Sequence, residues 1–314
     1  MILDLAGRGA MGEVYKAYDR RLDCNVALKL LRVGATGSRA TEARVRLLDE
    51  GKKLARVSHP NVVAVRDADE IDGCVFLSME FVEGQTLAGW LAEQPRSWSE
   101  VRSVFVAAGR GLEAAHRAGV VHRDFKPQNV MIGGDGRVRI MDFGLAELSS
   151  KDAEVGEALG ALDGVVSDQT VALTRTGMLV GTPYYMAPEQ FLGQTDARSD
   201  QFSFCVALYH ALYGEWPFPV PVASLAVLRE AVLAGRLREP PHGTQVPQRL
   251  RRALMRGLEP DRSRRFPSMA DLLQALGDEG ARPYRRVATV VALVVVAVAG
   301  AVALRLSVGR PPWP

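Results

Sequence analysis

The chain has 314 residues, 47% of them hydrophobic and 24% charged, with a formal net charge of +3. That length and apolar content allow about two domains around a sizeable core, and the near balance of acids and bases, with no aromatic-studded basic tract, excludes nucleic acid as a partner read from charge. Three widely spaced cysteines, Cys24, Cys74 and Cys205, form neither a disulfide framework nor a zinc pattern and read as small apolar side chains in a reducing compartment.

Met1 is expected to lead straight into folded structure, without a signal peptide. Residues 1–80 predict short strands with one helix between them. "GEVYKAYD" and "CNVALKLLR" read as strands joined by a turn. Residues 41–57 read as an amphipathic helix, in spite of Gly51, which costs about 1 kcal/mol relative to Ala inside a helix. "VFLSMEFVEG" predicts a further strand ending at Gly84. From there to about Gly277 the pattern is mainly helical. Residues 99–118 place Val101, Val104, Phe105, Ala108, Leu112 and Ala115 on one face, with Ser97 and Glu100 as a capping box and Gly119 as the stop. "NVMIG" and "RVRIMDF" predict two short strands around the turn "GDGR". The stretch from Ala146 to about Val180 is rich in small and polar residues and reads as a long mobile loop. Helical patterns return around 199–213, 222–235, 246–258 and 268–276. Residues 287–304 contain no charge. Eighteen helical residues reach about 27 Å, close to the hydrocarbon thickness of a bilayer, so this run reads as a membrane span. Arg282, Arg285 and Arg286 precede it and Arg305 and Arg310 follow, an asymmetry that orients it weakly.

"GRGAMGEV" supplies Gly7, Gly9 and Gly12. Alone, this spacing suits a plain turn or a dinucleotide fold as often as anything else. Here the glycines lead into strand and not helix, which fits a hairpin closing over phosphates better. "VALK" ends in Lys29, by itself an ordinary solvated lysine, and Glu50 stands on the predicted helix where an ion pair would fix that lysine. "HRDFKPQN" places Asp124, Lys126 and Asn129 close together, and "MDFG" brings Asp142 eighteen residues after Asp124. One hairpin separates them, so all can face one cleft. Carboxylates and an amide oxygen are hard donors suited to Mg²⁺ and not to zinc.

With "GTPYYMAPE", "SDQFSFCVALY" and "RRFPSM" following in order, the chain resembles eukaryotic-type (Hanks-type) serine/threonine protein kinases of the kind bacteria carry on membranes, from Leu5 to Leu276. The resemblance implies an α+β, two-lobed fold. An antiparallel-sheet N-lobe with one helix spans 1–83 and a larger helical C-lobe spans 84–280, followed by a juxtamembrane stretch 281–286, a transmembrane helix 287–304 and a tail 305–314. It implies ATP with Mg²⁺ or Mn²⁺, and protein substrates bearing Ser or Thr. Gly7, Gly9 and Gly12 would cover the phosphates, and Lys29, held by Glu50, would bind the α- and β-phosphates. Val14, Ala27, Met79, Glu80 and Val82 complete the nucleotide set, Glu80 and Val82 through backbone contacts to adenine and Met79 at the rear of the pocket. Asp124 would orient the substrate hydroxyl and take its proton, Lys126 would neutralise the γ-phosphoryl group, and Asn129 and Asp142 would hold the metal. Arg123 would pair with a phosphorylated residue on the activation segment, with Thr174 and Thr176 as acceptors, and Thr182 would contact the catalytic loop. Glu189 with Arg265 would form a structural ion pair, and Asp200 would anchor the catalytic loop.

Departures from the family pattern are a first strand that is short or a Met1 that is not the true start, a long Asp142–Glu189 segment and an end ten residues past the apolar run, with no sensor domain expected there. The reading is a single-pass membrane kinase, its catalytic domain cytoplasmic where ATP is supplied, activated by autophosphorylation. Ala297 and Ala301 leave room for two spans to pack as a homodimer. The rivals are a pseudokinase scaffold that binds nucleotide without transfer, and a small-molecule phosphotransferase.

Overall fold

Strict alternation in one strand sets the smaller lobe. In β5 (Cys74–Glu80) Val75, Leu77 and Met79 are buried and their neighbours are not, the period-2 pattern of a strand with one face on a core. β5 pairs antiparallel with β3 (Cys24–Leu31) and with β4 (Val65–Ile71). Together with β1 (Ile2–Gly9) and β2 (Gly12–Asp19) they form a five-stranded sheet in the order β1-β2-β3-β5-β4. The computed structural model describes residues 1–9, 12–31, 38–71, 73–143, 183–219, 225–241 and 243–277. The stretch 146–180, Thr174, Thr176, Thr182 and the uncharged run 287–304 all lie outside the described residues. Among the described residues no helix is long and apolar enough to cross a membrane.

The helix expected over 41–57 is α1 (Ser38–Ala55), which packs on β4 and β5 through Ala43, Leu47 and Leu54. Gly51 sits on the face of this helix that meets the sheet. A Cβ built there would lie 2.8 Å from Leu77 Cδ2 and 3.1 Å from Ala68 Cβ. Helix propensity alone makes Gly51→Ala a gain of about 1 kcal/mol, but overpacking costs about 1–3 kcal/mol. The variant is therefore expected to melt below the parent, as a thermal denaturation curve would read.

The first strand is not short: β1 spans eight residues, paired with β2 from Ile2↔Ala17 to Gly9↔Gly12 through two register shifts. The strand expected to run to Gly84 stops at Glu80. Gly84–Thr86 instead opens β6, in a second sheet of order β6-β7-β8 with β7 (Val130–Gly133) and β8 (Val138–Ile140). β6 leads directly into α2 (Leu87–Glu93), whose N-cap is Thr86.

In the larger lobe α3 (Trp98–Arg117) begins on the expected capping box, with Ser97 N–H donating to Glu100 Oε2 at 2.9 Å and Glu100 N–H to Ser97 Oγ at 3.3 Å. Gly119 follows its end at φ +75°. α4 (Ala197–Tyr213) is buried without interruption from Ser199 to Tyr209, as befits a helix enclosed on all sides. α5 (Leu225–Leu233), α6 (Gln248–Gly257) and α7 (Met269–Ala275) complete the order. α3 and α6 pack on α4, and α7 packs on α3, α4 and α6, so α4 forms the floor beneath the loop that carries Asp124.

Candidate active site

Asp200, in the first turn of α4, is 1% exposed. Its two oxygens accept the backbone N–H groups of His122 and Arg123, each at 2.7 Å, and His116 Nε2 lies 2.7 Å from Oδ2. Burial pushes its carboxyl up, but His116, then His122, hold it below the usual carboxylate range. The loop from His122 to Asn129 therefore hangs from one buried carboxylate, the anchor the resemblance implies. Burial keeps the His122 imidazole below its ordinary value, and the ring packs on Phe143 at a centroid distance of 4.7 Å and on Phe125 at 5.9 Å.

Held this way, Arg123 takes φ 68° and Asp142 takes φ 58°. A non-glycine residue in the left-handed region costs roughly 1–3 kcal/mol, and such residues persist where surrounding structure dictates them, often at functional sites. Lys126 Nζ donates to Asp124 Oδ2 at 2.7 Å. Asn129 Nδ2 donates to the Asp124 carbonyl at 2.8 Å and to Oδ2 at 3.1 Å. Met141 N–H donates to the Asn129 carbonyl at 2.9 Å, which ties the β7–β8 hairpin back to its start and sets Asp142 beside the loop. Lys29, 5% exposed on β3, donates to Asp142 Oδ1 at 2.8 Å. Burial raises the Asp142 carboxyl, but Lys29, with His122 and Lys126, more than offsets this and leaves it below the usual range.

One pairing differs from what the resemblance implies. Lys29 does not meet Glu50. Glu50 Oε1 lies 3.7 Å from Arg123 Nη2 and 3.7 Å from Lys53 Nζ, while Lys29 is engaged by Asp142. An ammonium 2.8 Å from one carboxylate is already paired, and two other cations draw Glu50 away from it.

The residues of the nucleotide set stand along the central strands. Val14 is opposite Lys29, and Ala27 is opposite Met79. Met79 is buried in the core. The Glu80 N–H is taken by the Ala64 carbonyl at 2.8 Å, and its side chain lies 3.4 Å from Arg139. Beyond the strand end, nothing among the described residues accepts the Val82 N–H. Gly7 and Gly9 stand on β1, and Gly12 opens β2 at φ +146°, where a Cβ would run into the Leu30 carbonyl oxygen. Residues 10 and 11 lie outside the described residues.

Among the described residues no cluster of three His, Cys, Asp or Glu side chains could hold a metal. Asn129 and Asp142 offer a smaller set. The Asn129 amide nitrogen is fully used, and no donor among the described residues reaches its Oδ1 or Asp142 Oδ2. Two hard oxygens fit Mg²⁺ or Mn²⁺, which completes its shell with water and phosphate oxygens.

Two partners have no counterpart among the expected site residues. His116 braces Asp200, and Gln190 Nε2 donates to the Arg123 carbonyl at 2.8 Å. Each acts on a residue more than sixty positions away, so no local signal marks it.

The family described as "Protein kinase domain" matches residues 2–275. A probable serine/threonine-protein kinase of Streptomyces coelicolor is 39% identical over 235 residues, covering 71% of this chain and 32% of the relative. The serine/threonine-protein kinase pkn3 of Myxococcus xanthus is 37% identical, covering 68% and 37%. The chain thus spans about a third of the length of these curated relatives. Among solved structures, the PknI kinase domain of Mycobacterium tuberculosis is 26% identical with a TM-score of 0.61, covering 88% of this chain and 94% of that one. Rad53 in complex with AMP-PNP has a TM-score of 0.66 at 23% identity, a likeness of fold alone, covering 88% of this chain and 64% of that one. A sheet lobe on a helical lobe, a loop hung from Asp200 and the family match over residues 2–275 lead to one conclusion: the chain belongs to the protein kinase family, alongside bacterial members named serine/threonine-protein kinases.

Proposed function

We propose that this chain transfers the γ-phosphoryl group of ATP to serine and threonine hydroxyls of protein substrates while tethered to a membrane through residues 287–304. The observation that carries the transfer reading is that two hydrogen-bonded groups, Lys29 with Asp142 and Asp124 with Lys126 and Asn129, are joined by the Met141 N–H on the Asn129 carbonyl. Phosphoryl transfer asks little covalent chemistry of a protein; it needs alignment, and positive charge where negative charge accumulates. The substrate hydroxyl oxygen bonds to the γ-phosphorus, the bond from that phosphorus to the bridging oxygen breaks, ADP leaves with the electron pair, and Asp124 takes the hydroxyl proton. Lys126 lies against that carboxylate and neutralises the transferring group, and Lys29 grips the α- and β-phosphates. Asn129 and Asp142 would hold Mg²⁺ or Mn²⁺, which when bound offsets phosphate charge. The Val82 N–H and the backbone of Glu80 meet adenine, with Val14, Ala27 and Met79 around it, and Gly7, Gly9 and Gly12 close over the phosphates.

Regulation follows from Arg123. Phosphate on Thr174 or Thr176 competes with Glu50 for that guanidinium, being the more highly charged partner, and frees Glu50 to reach Lys29. Thr182 orders the substrate against the catalytic loop. The uncharged run and its arginine flanks support the tether, and ATP supply puts the catalytic domain on the cytoplasmic side.

Mass spectrometry of the full chain after incubation with Mg-ATP tests the proposal. The expected result is phosphate on the 146–182 stretch in the parent and none in Asp142→Asn. Nucleotide binding with no transfer to itself or to a basic protein would favour a scaffold instead.

A further inference from the structure

Residues 225–277 hold ten arginines, no lysine and five carboxylates, whereas residues 1–224 carry an excess of acids. The positive charge of the fold is thus gathered at the end of the larger lobe, and α6 shows how it is displayed. Leu250, Ala253, Leu254 and Gly257 are the buried positions of this helix. Arg249, Arg252 and Arg256, three and four residues apart, share one exposed face. Arg249 Nη2 donates to the Gln274 carbonyl in α7 at 3.1 Å. Arg256 Nε donates to the Arg264 carbonyl at 3.2 Å, which brings a further exposed arginine alongside. Arg252, between them, has no partner among the described residues. Two acids of this region pair with arginines outside the face: Glu239 lies 4.0 Å from Arg251, and Asp261 lies 3.8 Å from Arg264.

The chain leaves the described fold at Gly277, three residues after the carbonyl that Arg249 holds. Arg282, Arg285 and Arg286 follow, and the uncharged run begins at Val287. Ten residues span at most about 35 Å, which is the upper limit on the distance from Gly277 to the start of a tether at 287–304. Guanidinium groups take phosphate oxygens in paired, charge-assisted hydrogen bonds, and basic residues that come within about a Debye length of an anionic leaflet are attracted to it.

We infer that the Arg249–Arg252–Arg256 face of α6 rests on anionic phospholipid, an inference that builds on the membrane tether proposed above. The contact holds the base of the larger lobe against the leaflet and fixes the orientation in which the kinase meets its substrates.

The test uses the full chain in nanodiscs of phosphatidylcholine alone or mixed with phosphatidylglycerol. Phenylglyoxal modification is followed by mass spectrometry at Arg252, with Arg20, in the exposed turn after β2, as internal reference. In the anionic discs Arg252 is expected to react at least about threefold more slowly relative to Arg20, and high salt should abolish the difference. R249E/R256E should return Arg252 to the rate seen in neutral discs. Equal rates in the two lipids would overturn the inference. Protection that is equal in both lipids and grows with the number of chains per disc would also overturn it, by placing a second copy on the face. A chain that enters neither disc refutes the tether, and sedimentation with vesicles then decides the face alone. Pelleting with phosphatidylglycerol vesicles that R249E/R252E/R256E loses upholds the contact, and no pelleting refutes it.

Discussion

Replacing Asp124 with asparagine is expected to lower kcat for transfer to a basic protein substrate by about 10²–10⁴-fold, the usual contribution of a positioned general base. The KM for ATP should move little. Asp124 lies in a loop whose backbone is pinned by Asp200, and its Oδ2 is shared between Lys126 and Asn129. An amide keeps the shape and can still accept from Lys126, but it has no charge with which to draw the hydroxyl proton. Labelled-phosphate transfer with separate kcat and KM values reads the effect, beside a melting curve to show that the fold survives. A loss of less than tenfold would mean that another group takes the proton. A large rise in KM for ATP would place Asp124 in nucleotide binding and not in alignment of the hydroxyl.

The largest structural effect is expected at Arg265, which is fully buried. Its guanidinium donates to Glu189 Oε1 at 2.7 Å and Oε2 at 2.8 Å and reaches the carbonyls of Arg198, Glu259 and Pro260. Ser199 Oγ completes the Glu189 shell at 2.8 Å. Removing one partner leaves the other charge buried alone, which costs about 3–5 kcal/mol, so Arg265→Ala should melt on the order of 10 °C below the parent. Glu189→Gln should be milder, because it leaves acceptors for the guanidinium. Activity should fall with stability, since Gln190, next in the chain, holds the Arg123 carbonyl.

The same pair carries a pH signature. Burial pushes the Glu189 carboxyl up, but Arg265 outweighs it and holds the group below its ordinary 4.5. A folded value below the unfolded one means that the pair's contribution is complete above about pH 4.5 and is lost as pH falls through the folded value. The gap in melting temperature between the parent and Glu189→Gln should therefore be constant near neutrality and narrow in acid. A gap that widened in acid would show that Glu189 is held neutral.

Much of this molecule is written locally. The alternation of β5, the Ser97–Glu100 box of α3 and the turn at Gly136 each involve residues a few positions apart, where backbone geometry leaves few choices. The ordered motifs likewise mark Lys29, Asp124, Lys126, Asn129 and Asp142 through the family resemblance that they carry together. β4 carries no such signal, because "VRDADEI" buries Val65 alone among mostly exposed polar neighbours, as an edge strand with one face open to water does. Gly51 reads as a defect in a helix and is a point of close packing against Leu77 and Ala68 of the sheet.

What the chain by itself determined was which groups exist and which local elements carry them. Only the tertiary structure decided who meets whom. The motif order pointed Lys29 to Glu50, and the fold gives Lys29 to Asp142, Glu50 to Arg123, and His116 to Asp200 across 84 positions. The reason is physical: which ion pair forms is settled by differences of about an ångström in the separation of side chains brought together by packing, and linear spacing carries no record of those differences.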